Sequence, residues 1–213
     1  MSKRICTLAL IALAVSAPAA YAQRWEFGGG AGGAFTTSGD VTNPALSGTA
    51  KIAPGLTASA WLANNNWNHL GGEIRYDFGM GDLQLTSGGV KAAFGAQTHA
   101  IHYDFQYHLT NTEAAVRPFV AFGGGVKLFR GAGTEVASQP LNNLALLTRT
   151  SQIEPLASVG AGIKINARRI GFRIEAHDYV TPFPDRVIAP SLNSKVSGWL
   201  HEFVVSAGIS IFF

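Results

Sequence analysis

The amino-acid sequence predicts an all-β fold, an eight-stranded antiparallel up-and-down transmembrane β-barrel. Eight segments alternate apolar and polar residues with the two-residue period of a strand. The connections between them alternate between long and short, as in bacterial outer-membrane barrels, whose extracellular loops are long and periplasmic turns short. The N-terminus has the pattern of a secretory signal peptide, which indicates export from the cytoplasm.

The predicted signal peptide covers residues 1–22. Lys3 and Arg4 precede a short apolar run, and residues 20–22, Ala-Tyr-Ala, have the small side chains of a cleavage site. The apolar run is too short to cross a bilayer as a helix, although an uncleaved membrane anchor is the alternative. We therefore expect one mature domain, residues 23–213, which forms the barrel.

The composition of the mature chain excludes several classes of protein. Removal of Lys3 and Arg4 leaves 14 basic and 13 acidic residues, so there is no excess of positive charge to indicate a nucleic-acid partner. The only cysteine, Cys6, lies in the signal peptide and not directly after the cleavage site. This position argues against a lipoprotein, and it leaves the mature chain without disulfide or thiol chemistry.

The predicted strands are separated by turn-forming residues. Short turns are expected at 64–68, 111–114 and 166–168, and long loops at 38–54, 81–96, 131–150 and 181–197. The eight strands themselves are expected to cover 24–37, 55–63, 70–79, 97–110, 116–130, 151–165, 169–180 and 198–213.

The alternation places charged side chains on one face of each strand and aromatic or aliphatic side chains on the other. It breaks at one point, where Leu83 and Leu85 take the parity that carries Glu73 and Arg75. A glycine bulge, a segment 82–86 that already lies outside the membrane, and an extra hairpin giving ten strands would each explain the break.

A charged interior follows from this alternation. An eight-stranded barrel is just wide enough for side chains to fill it, so charges inside must neutralise one another. We expect Arg75 and Arg173 at the centre of the network, with His102 and His177 at its margin, since a guanidinium bridges two carboxylates with fixed geometry. The predicted network consists of Glu73, Arg75, Asp77, Asp104, Lys127, Lys164, Arg173, Glu175 and Glu202.

The glycine-rich first strand, the alternating strands and the ending Val204-Val205-Ser206-Ala207-Gly208-Ile209-Ser210-Ile211-Phe212-Phe213 resemble the small outer-membrane β-barrels of the OmpA and OprF type. The resemblance implies a location in the outer membrane of a Gram-negative bacterium, and a final Phe213 that acts as the barrel-assembly signal. It implies a stand-alone barrel here, because the chain stops where an OmpA-type protein continues into a periplasmic peptidoglycan-binding domain.

The resemblance is specific for location and fold and does not specify an activity, so the expected function rests on the charged interior. The function is a structural or surface role, with a salt-bridged, porin-like interior and weak pore activity. The partners are outer-membrane lipid, the barrel-assembly machinery and periplasmic chaperones, and the protein is expected to be a monomer without a cofactor.

The alternative function is an outer-membrane enzyme that modifies lipid, of the lipid A deacylase or acyltransferase type. His201 with Glu202 and Ser197, or His177 with Asp178, would be fragments of a catalytic site. Adjacent residues on a strand face opposite sides, however, and no short motif supplies nucleophile, base and orienting group together. We therefore expect no catalytic residues.

Two further patterns predict no ligand. His99, His102 and His108 with Asp104 contain metal-ligand types, but residues two apart on a strand are about 6.6–7 Å apart, too far to share one ion without ligands from other strands. The run Gly28–Gly33 matches G-x-G-x-x-G but is not followed by a helix, which a dinucleotide site requires. Close strand packing is the interpretation that remains.

Overall fold

The structure is a computed structural model that describes residues 25–135 and 138–213. The predicted signal peptide, residues 1–22, lies outside the described residues. No helix in the described part of the chain is long and apolar enough to cross a membrane. The strands are β1 (Trp25–Thr36), β2 (Gly39–Thr42), β3 (Ser47–Ile52), β4 (Gly55–Asn64), β5 (Leu70–Ser87), β6 (Val90–His108), β7 (Val116–Gly131), β8 (Ala145–Leu147), β9 (Ser151–Ala167), β10 (Ile170–Pro182), β11 (Ile188–Pro190), β12 (Lys195–Ser197) and β13 (Trp199–Phe212).

Eight of these strands pair in a closed ring. Each is antiparallel to its neighbours in the order β1, β4, β5, β6, β7, β9, β10 and β13. The ring closes because β13 also pairs with β1, from Glu26 opposite Phe212 to Thr36 opposite Glu202. The predicted eight-stranded up-and-down barrel is thereby confirmed, and the five short strands pair outside the ring rather than enlarging it to ten.

The two ends of the barrel differ. Short turns at 65–69, 109–115 and 168–169 lie at one end, together with Trp25 and Phe213, whose backbones are hydrogen-bonded to each other. The remaining connections lie at the opposite end. In bacterial outer-membrane barrels the short-turn end is periplasmic and the long-loop end is extracellular.

The prediction of a long loop at 81–96 is wrong. β5 and β6 stay paired without interruption from Leu70 opposite Tyr107 to Ser87 opposite Val90. Their turn is Gly88-Gly89, and both residues have positive φ, 54° and 82°. Two consecutive positive φ angles define the type I′ turn that joins strands most tightly, and glycine adopts them without steric cost.

This long hairpin explains the break in alternation. β5 continues past Met80 as one unbroken strand. Beyond this point its outward side chains change from apolar to polar, at Asp82 and Thr86. Its inward side chains change from charged to apolar, at Leu83 and Leu85. The pairing shows no bulge. Of the three explanations, the one that places this segment beyond the membrane fits, because its outward face is polar.

Short strands extend the wall at the long-loop end. β3 pairs with the upper part of β5, β2 with β3, and β12 with β2, while β8 pairs with β11. They enclose a hydrophobic core, which we call the apolar cap. The apolar cap consists of Val41, Ala50, Ile52, Leu83, Leu85, Ala92, Phe94, Ala96, Phe129, Leu144, Ala145, Leu147, Phe183, Val187, Ile188 and Leu200.

Below the cap, the outer surface is apolar. Phe105, Ile174 and Val205, on three different strands, are between 50 and 65% exposed. Trp25 at the short-turn end and Trp199 at the long-loop end are also exposed, as expected for aromatic residues at the two membrane interfaces. Exposed apolar side chains over a whole barrel face are stable in lipid and not in water.

Candidate functional site

The candidate site is the charged interior of the barrel, between the apolar cap and the short-turn end. It exists because alternate residues of each strand point inward. Buried charged side chains from seven of the eight ring strands meet there. The buried carboxylates are Glu26, Glu73, Asp77, Asp104, Glu175 and Glu202, and the buried cations are Arg75, Arg117, Lys127, Lys164 and Arg173.

Arg173 on β10 contacts three carboxylates. Its Nη1 donates to Glu73 at 2.6 Å and to Glu175 at 3.3 Å, and its Nη2 donates to Glu26 at 2.9 Å. These acids belong to β5, β10 and β1, so one guanidinium connects three strands. The planar fork of arginine makes this possible, because several N–H groups point in fixed directions.

Arg75 on β5 makes a second, similar set of contacts. Its Nη1 lies 3.1 Å from Glu73 and its Nε 3.2 Å from Asp77, and Nη2 donates to Glu175. Glu73 and Glu175 therefore each lie between the two guanidinium groups. The sequence-based expectation placed these two arginines at the centre, and their shared carboxylates form the middle of the observed cluster.

His102 lies deeper in the cluster than the sequence indicated. Its Nδ1 is 3.0 Å from Asp104 and its Nε2 is 3.2 Å from Asp77, so the ring is held between two carboxylates. The hydroxyl of Tyr179 donates to Asp77 at 2.8 Å. His177 is more peripheral, with its ring nitrogens 3.5 Å from Glu175 and 3.7 Å from Asp104.

The two lysines lie at opposite ends of the cluster. Lys164 donates to Glu26 and to the side-chain oxygen of Gln106, both at 2.9 Å, toward the short-turn end. Lys127 pairs with Glu202 just below the apolar cap. All nine residues predicted for the network are buried and face inward. Each of its Lys and Arg residues pairs with at least one carboxylate, and each of its carboxylates except Asp104, which contacts His102, pairs with Lys or Arg.

Sequence reasoning missed Glu26. It lies at the start of β1, whose other inward positions include Gly28 and Gly30, so no run of alternating charges marks the strand. Glu26 lies two and four residues before these glycines and therefore faces the same side of the strand. This spacing is the one signal in the sequence that Glu26 points inward. In the structure Glu26 accepts hydrogen bonds from Arg173, Lys164 and Trp61.

The glycines of β1 make room for Trp61, whose ring lies inside the barrel. A Cβ atom built on Gly28 would lie 2.5 Å from that ring, and one on Gly208 would lie 2.4 Å from it. The centroid of the ring is 4.4 Å from the guanidinium carbon of Arg173, which is cation–π distance. The glycine run therefore positions an aromatic ring against the central arginine.

Replacement of Gly28 by alanine is expected to lower the free energy of unfolding by about 1–3 kcal/mol, because the new methyl group must displace Trp61. Gly33 on the same strand is the matched control, since a Cβ there would meet its nearest atom at 3.8 Å. Urea titration of both variants in detergent measures the difference. Equal losses for Gly28→Ala and Gly33→Ala would contradict the account.

The histidines considered as metal ligands are dispersed. His99 faces outward, where its Nδ1 is 2.8 Å from the hydroxyl of Tyr76. His102 is inside the charged cluster, and the inward-facing His108 lies near Phe119 toward the short-turn end. Within the described residues, no group of three or more His, Cys, Asp or Glu side chains is arranged to hold a metal ion.

The fragments considered for catalysis are also separated. Glu202 faces the interior and pairs with Lys127, while His201 faces outward. His177 faces the interior, whereas Asp178 faces outward. The structure instead pairs His201 Nδ1 with Asp178 at 2.9 Å across β13 and β10 on the outer surface, a contact between strands that sequence reasoning did not find.

Comparison with solved structures bears on the fold. The crystal structure of the Neisserial surface protein A is similar with a TM-score of 0.53 and 14% identity, covering 89% of this chain and 97% of that one. The outer membrane protein OprG from Pseudomonas aeruginosa is similar with a TM-score of 0.51 and 12% identity, with the same coverage. The fold is that of a small outer-membrane β-barrel.

The N-terminal β-barrel domain of Pseudomonas aeruginosa OprF also matches, with 13% identity and a TM-score of 0.46, over 90% of this chain and 99% of that one. No protein-family model and no curated protein matches the chain. The resemblance to small outer-membrane barrels that the sequence predicted is confirmed for the fold.

Proposed function

We propose that this protein is a structural, surface-exposed outer-membrane barrel with a salt-bridged interior, which conducts ions only when that interior rearranges. The proposal rests on one observation, that two different kinds of side chain fill the barrel at different levels along its axis. Charged pairs occupy the membrane part and the apolar cap occupies the long-loop end.

The charged layer supports a closed resting state. Each central guanidinium is held by three carboxylates at once, and these carboxylates are shared, so no single side chain swings away without leaving another charge unpaired. An uncompensated buried charge costs several kcal/mol, about 3–5 in measured cases. Ion passage would therefore require a concerted exchange of partners, which makes the pore activity weak.

The apolar cap supports the same conclusion by a different mechanism. Leu83, Phe94 and Leu147 belong to one packed cluster that includes residues of the loops as well as the upper barrel strands. A hydrophobic core excludes hydrated ions, because desolvating an ion in an apolar environment is costly. The loops are thereby held as a folded extracellular layer, which is the surface the protein presents to its surroundings.

Conductance across planar bilayers tests the proposal. The wild-type protein is expected to be closed most of the time, with small, infrequent openings. Arg75→Gln should increase the frequency of opening, because Glu73, Asp77 and Glu175 lose a shared partner. Arg149→Gln, in an exposed loop, is the control and should leave conductance unchanged. A large, steady wild-type conductance that Arg75→Gln leaves unaltered would contradict the proposal.

Lipid modification is the second candidate, and one observation favours it. His201 and Asp178 form a base–carboxylate pair on the outer surface, where lipid would reach it. No hydroxyl group among the described residues donates to the His201 ring, so the pair has no observed nucleophile. Mass spectra of lipid A from cells with the wild-type protein and with His201→Ala should be identical, whereas a change in acylation would favour the enzyme.

We also propose that Phe213 acts in assembly. Its backbone closes the ring through two hydrogen bonds with Trp25, while its side chain remains 45% exposed on the outer surface. Phe213→Ala therefore removes little packing from the finished barrel. Pulse-chase measurement should show slower assembly in cells with nearly unchanged stability of the folded protein, and Val116→Ala, also exposed at the short-turn end, should assemble normally.

A further inference from the structure

Among the described residues, Arg117 is the buried arginine that forms no ion pair with the charged cluster. Its side chain starts at the second residue of β7, faces inward at the short-turn end, and is 2% exposed. Its Nη2 donates to the backbone oxygen of Asn68 at 3.1 Å, and its Nε has no hydrogen-bond partner. In the part of the chain that the structure describes, no carboxylate oxygen lies within 4.0 Å of this guanidinium.

The contrast with the other two buried arginines is informative. Arg75 and Arg173 each contact three carboxylates, so the barrel interior supplies acids where an arginine has only a structural role. A buried guanidinium without a counterion is costly unless an anion from outside completes its contacts. Arg117 is therefore placed as a binding group rather than as a partner in the internal network.

A cavity of about 180 Å³ adjoins Arg117 at the short-turn end. It lies between the turn at 109–115 and the turn at 168–169, and its walls include Thr112, Asn166, Arg168 and Phe212. The side-chain oxygen of Asn166 is also buried without a partner. The Asn166 amide also carries two N–H donors, and rotation about its last side-chain bond brings them to the position of this oxygen.

The chemistry of this cavity suits a small anion. Drug-sized ligands occupy about 300–1,000 Å³, so the volume here accommodates a single compact group. Two arginines and an amide supply donors, and guanidinium groups bind phosphate oxygens in pairs with matched geometry. Glu113 lies exposed on the rim and is the one acid in the lining, which leaves the cavity with a positive balance.

The position of the cavity favours phosphate. The exposed rings of Trp25 and Tyr107 mark the membrane interface at this end of the barrel, and lipid phosphates lie at that level. We propose that the short-turn cavity is a phosphate-binding site, in which Arg117 holds two phosphate oxygens, Asn166 donates from its amide and Arg168 contributes charge at the entrance. The group belongs either to a phospholipid head or to soluble phosphate on the periplasmic side.

Titration followed by NMR tests the site. Protein with ¹⁵N-labelled arginine is prepared in maltoside micelles free of phosphate, and the Nε–H signal of Arg117 is assigned by its loss in Arg117→Gln. As inorganic phosphate is added, the signal should shift until it reaches a plateau. Arg168→Gln should weaken binding about tenfold, and Glu113→Gln should strengthen it, since these changes remove a cation and an acid at the rim.

Control variants test whether phosphate binding depends on this cavity. Arg149→Gln, far away in an extracellular loop, should bind phosphate like the wild type. If Arg117→Gln does not fold, Asn166→Ala near the end of β9 and Arg168→Gln in the short turn carry the test. A linear shift that chloride reproduces, or equal binding by Arg168→Gln, Asn166→Ala and the wild type, would overturn the proposal.

A second titration identifies the source of the phosphate. Micelles supplemented with phosphatidylglycerol contain the lipid head group and no soluble phosphate. A saturable shift of the Arg117 signal in these micelles assigns the site to lipid, and a shift with inorganic phosphate alone assigns it to a soluble ligand. Absence of a shift in both titrations would show that the cavity binds neither.

Discussion

Replacement of Arg173 by methionine is expected to lower the free energy of unfolding by about 3–5 kcal/mol. The reason is the loss of one cation shared by Glu26, Glu73 and Glu175, all of which remain buried. Reversible urea unfolding in lipid vesicles measures this loss. Arg149→Met, which removes an arginine from an exposed loop, should change stability by no more than about 0.5 kcal/mol.

A double-mutant cycle distinguishes a network from independent charges. Arg173→Met and Glu73→Leu together remove a donor and one of its acceptors, whose atoms are 2.6 Å apart. The combined loss should be clearly smaller than the sum of the two single losses, because each single change leaves the other charge without compensation. Additive losses would mean that these residues do not act as a network.

Arginine in place of Ile174 is expected to cost about 2–4 kcal/mol, the cost of a charged residue on the lipid face near the midplane of a bilayer. Ile174 is 65% exposed in the middle of the outer face of β10. Leu192→Arg is the matched control, because Leu192 is 90% exposed in a loop at the opposite end from the short turns. The same vesicle titration should show almost no cost for it.

Equal tolerance of arginine at both sites would place Ile174 in water rather than in lipid. The exposed fraction of a side chain does not distinguish a lipid environment from water, because an apolar side chain on a barrel wall and one in an aqueous loop both have large accessible areas. The paired substitution separates them through the free energy of moving a charge, which is large only in the bilayer.

The sequence predicted the strands and their faces well because both depend on local patterns. The alternation of Asp104 and His102 with Phe105 and Tyr103 identified the inward and outward sides of β6, as the structure confirms. The closure of the ring was also predictable, since consecutive strands joined by alternating long and short connections pair in order. The expected loop at 81–96 proved to be an extended hairpin, and the other three expected loops contain the short strands β2, β3, β8, β11 and β12.

The partners inside the barrel were not predictable from local patterns. Lys164 and Glu26 are 138 residues apart and meet only because the barrel closes between β1 and β13. The apolar cap was missed for a related reason. Leu83 and Leu85 appeared to break the alternation, whereas they continue the inward face of β5 into a layer where the filling changes from charged to apolar.

Single-cysteine labelling most directly tests the central claim, a membrane barrel with a closed interior and an extracellular loop layer. Cys6, the only native cysteine, lies in the predicted signal peptide, so a cysteine introduced into the mature chain reports one position. In intact cells, Leu192→Cys should react with a membrane-impermeant maleimide and Ile174→Cys only with a lipid-soluble reagent. Ser206→Cys, 4% exposed inside the barrel, should react with neither until the protein unfolds. Rapid aqueous labelling of folded Ser206→Cys and Ile174→Cys would contradict both the closed interior and the membrane face.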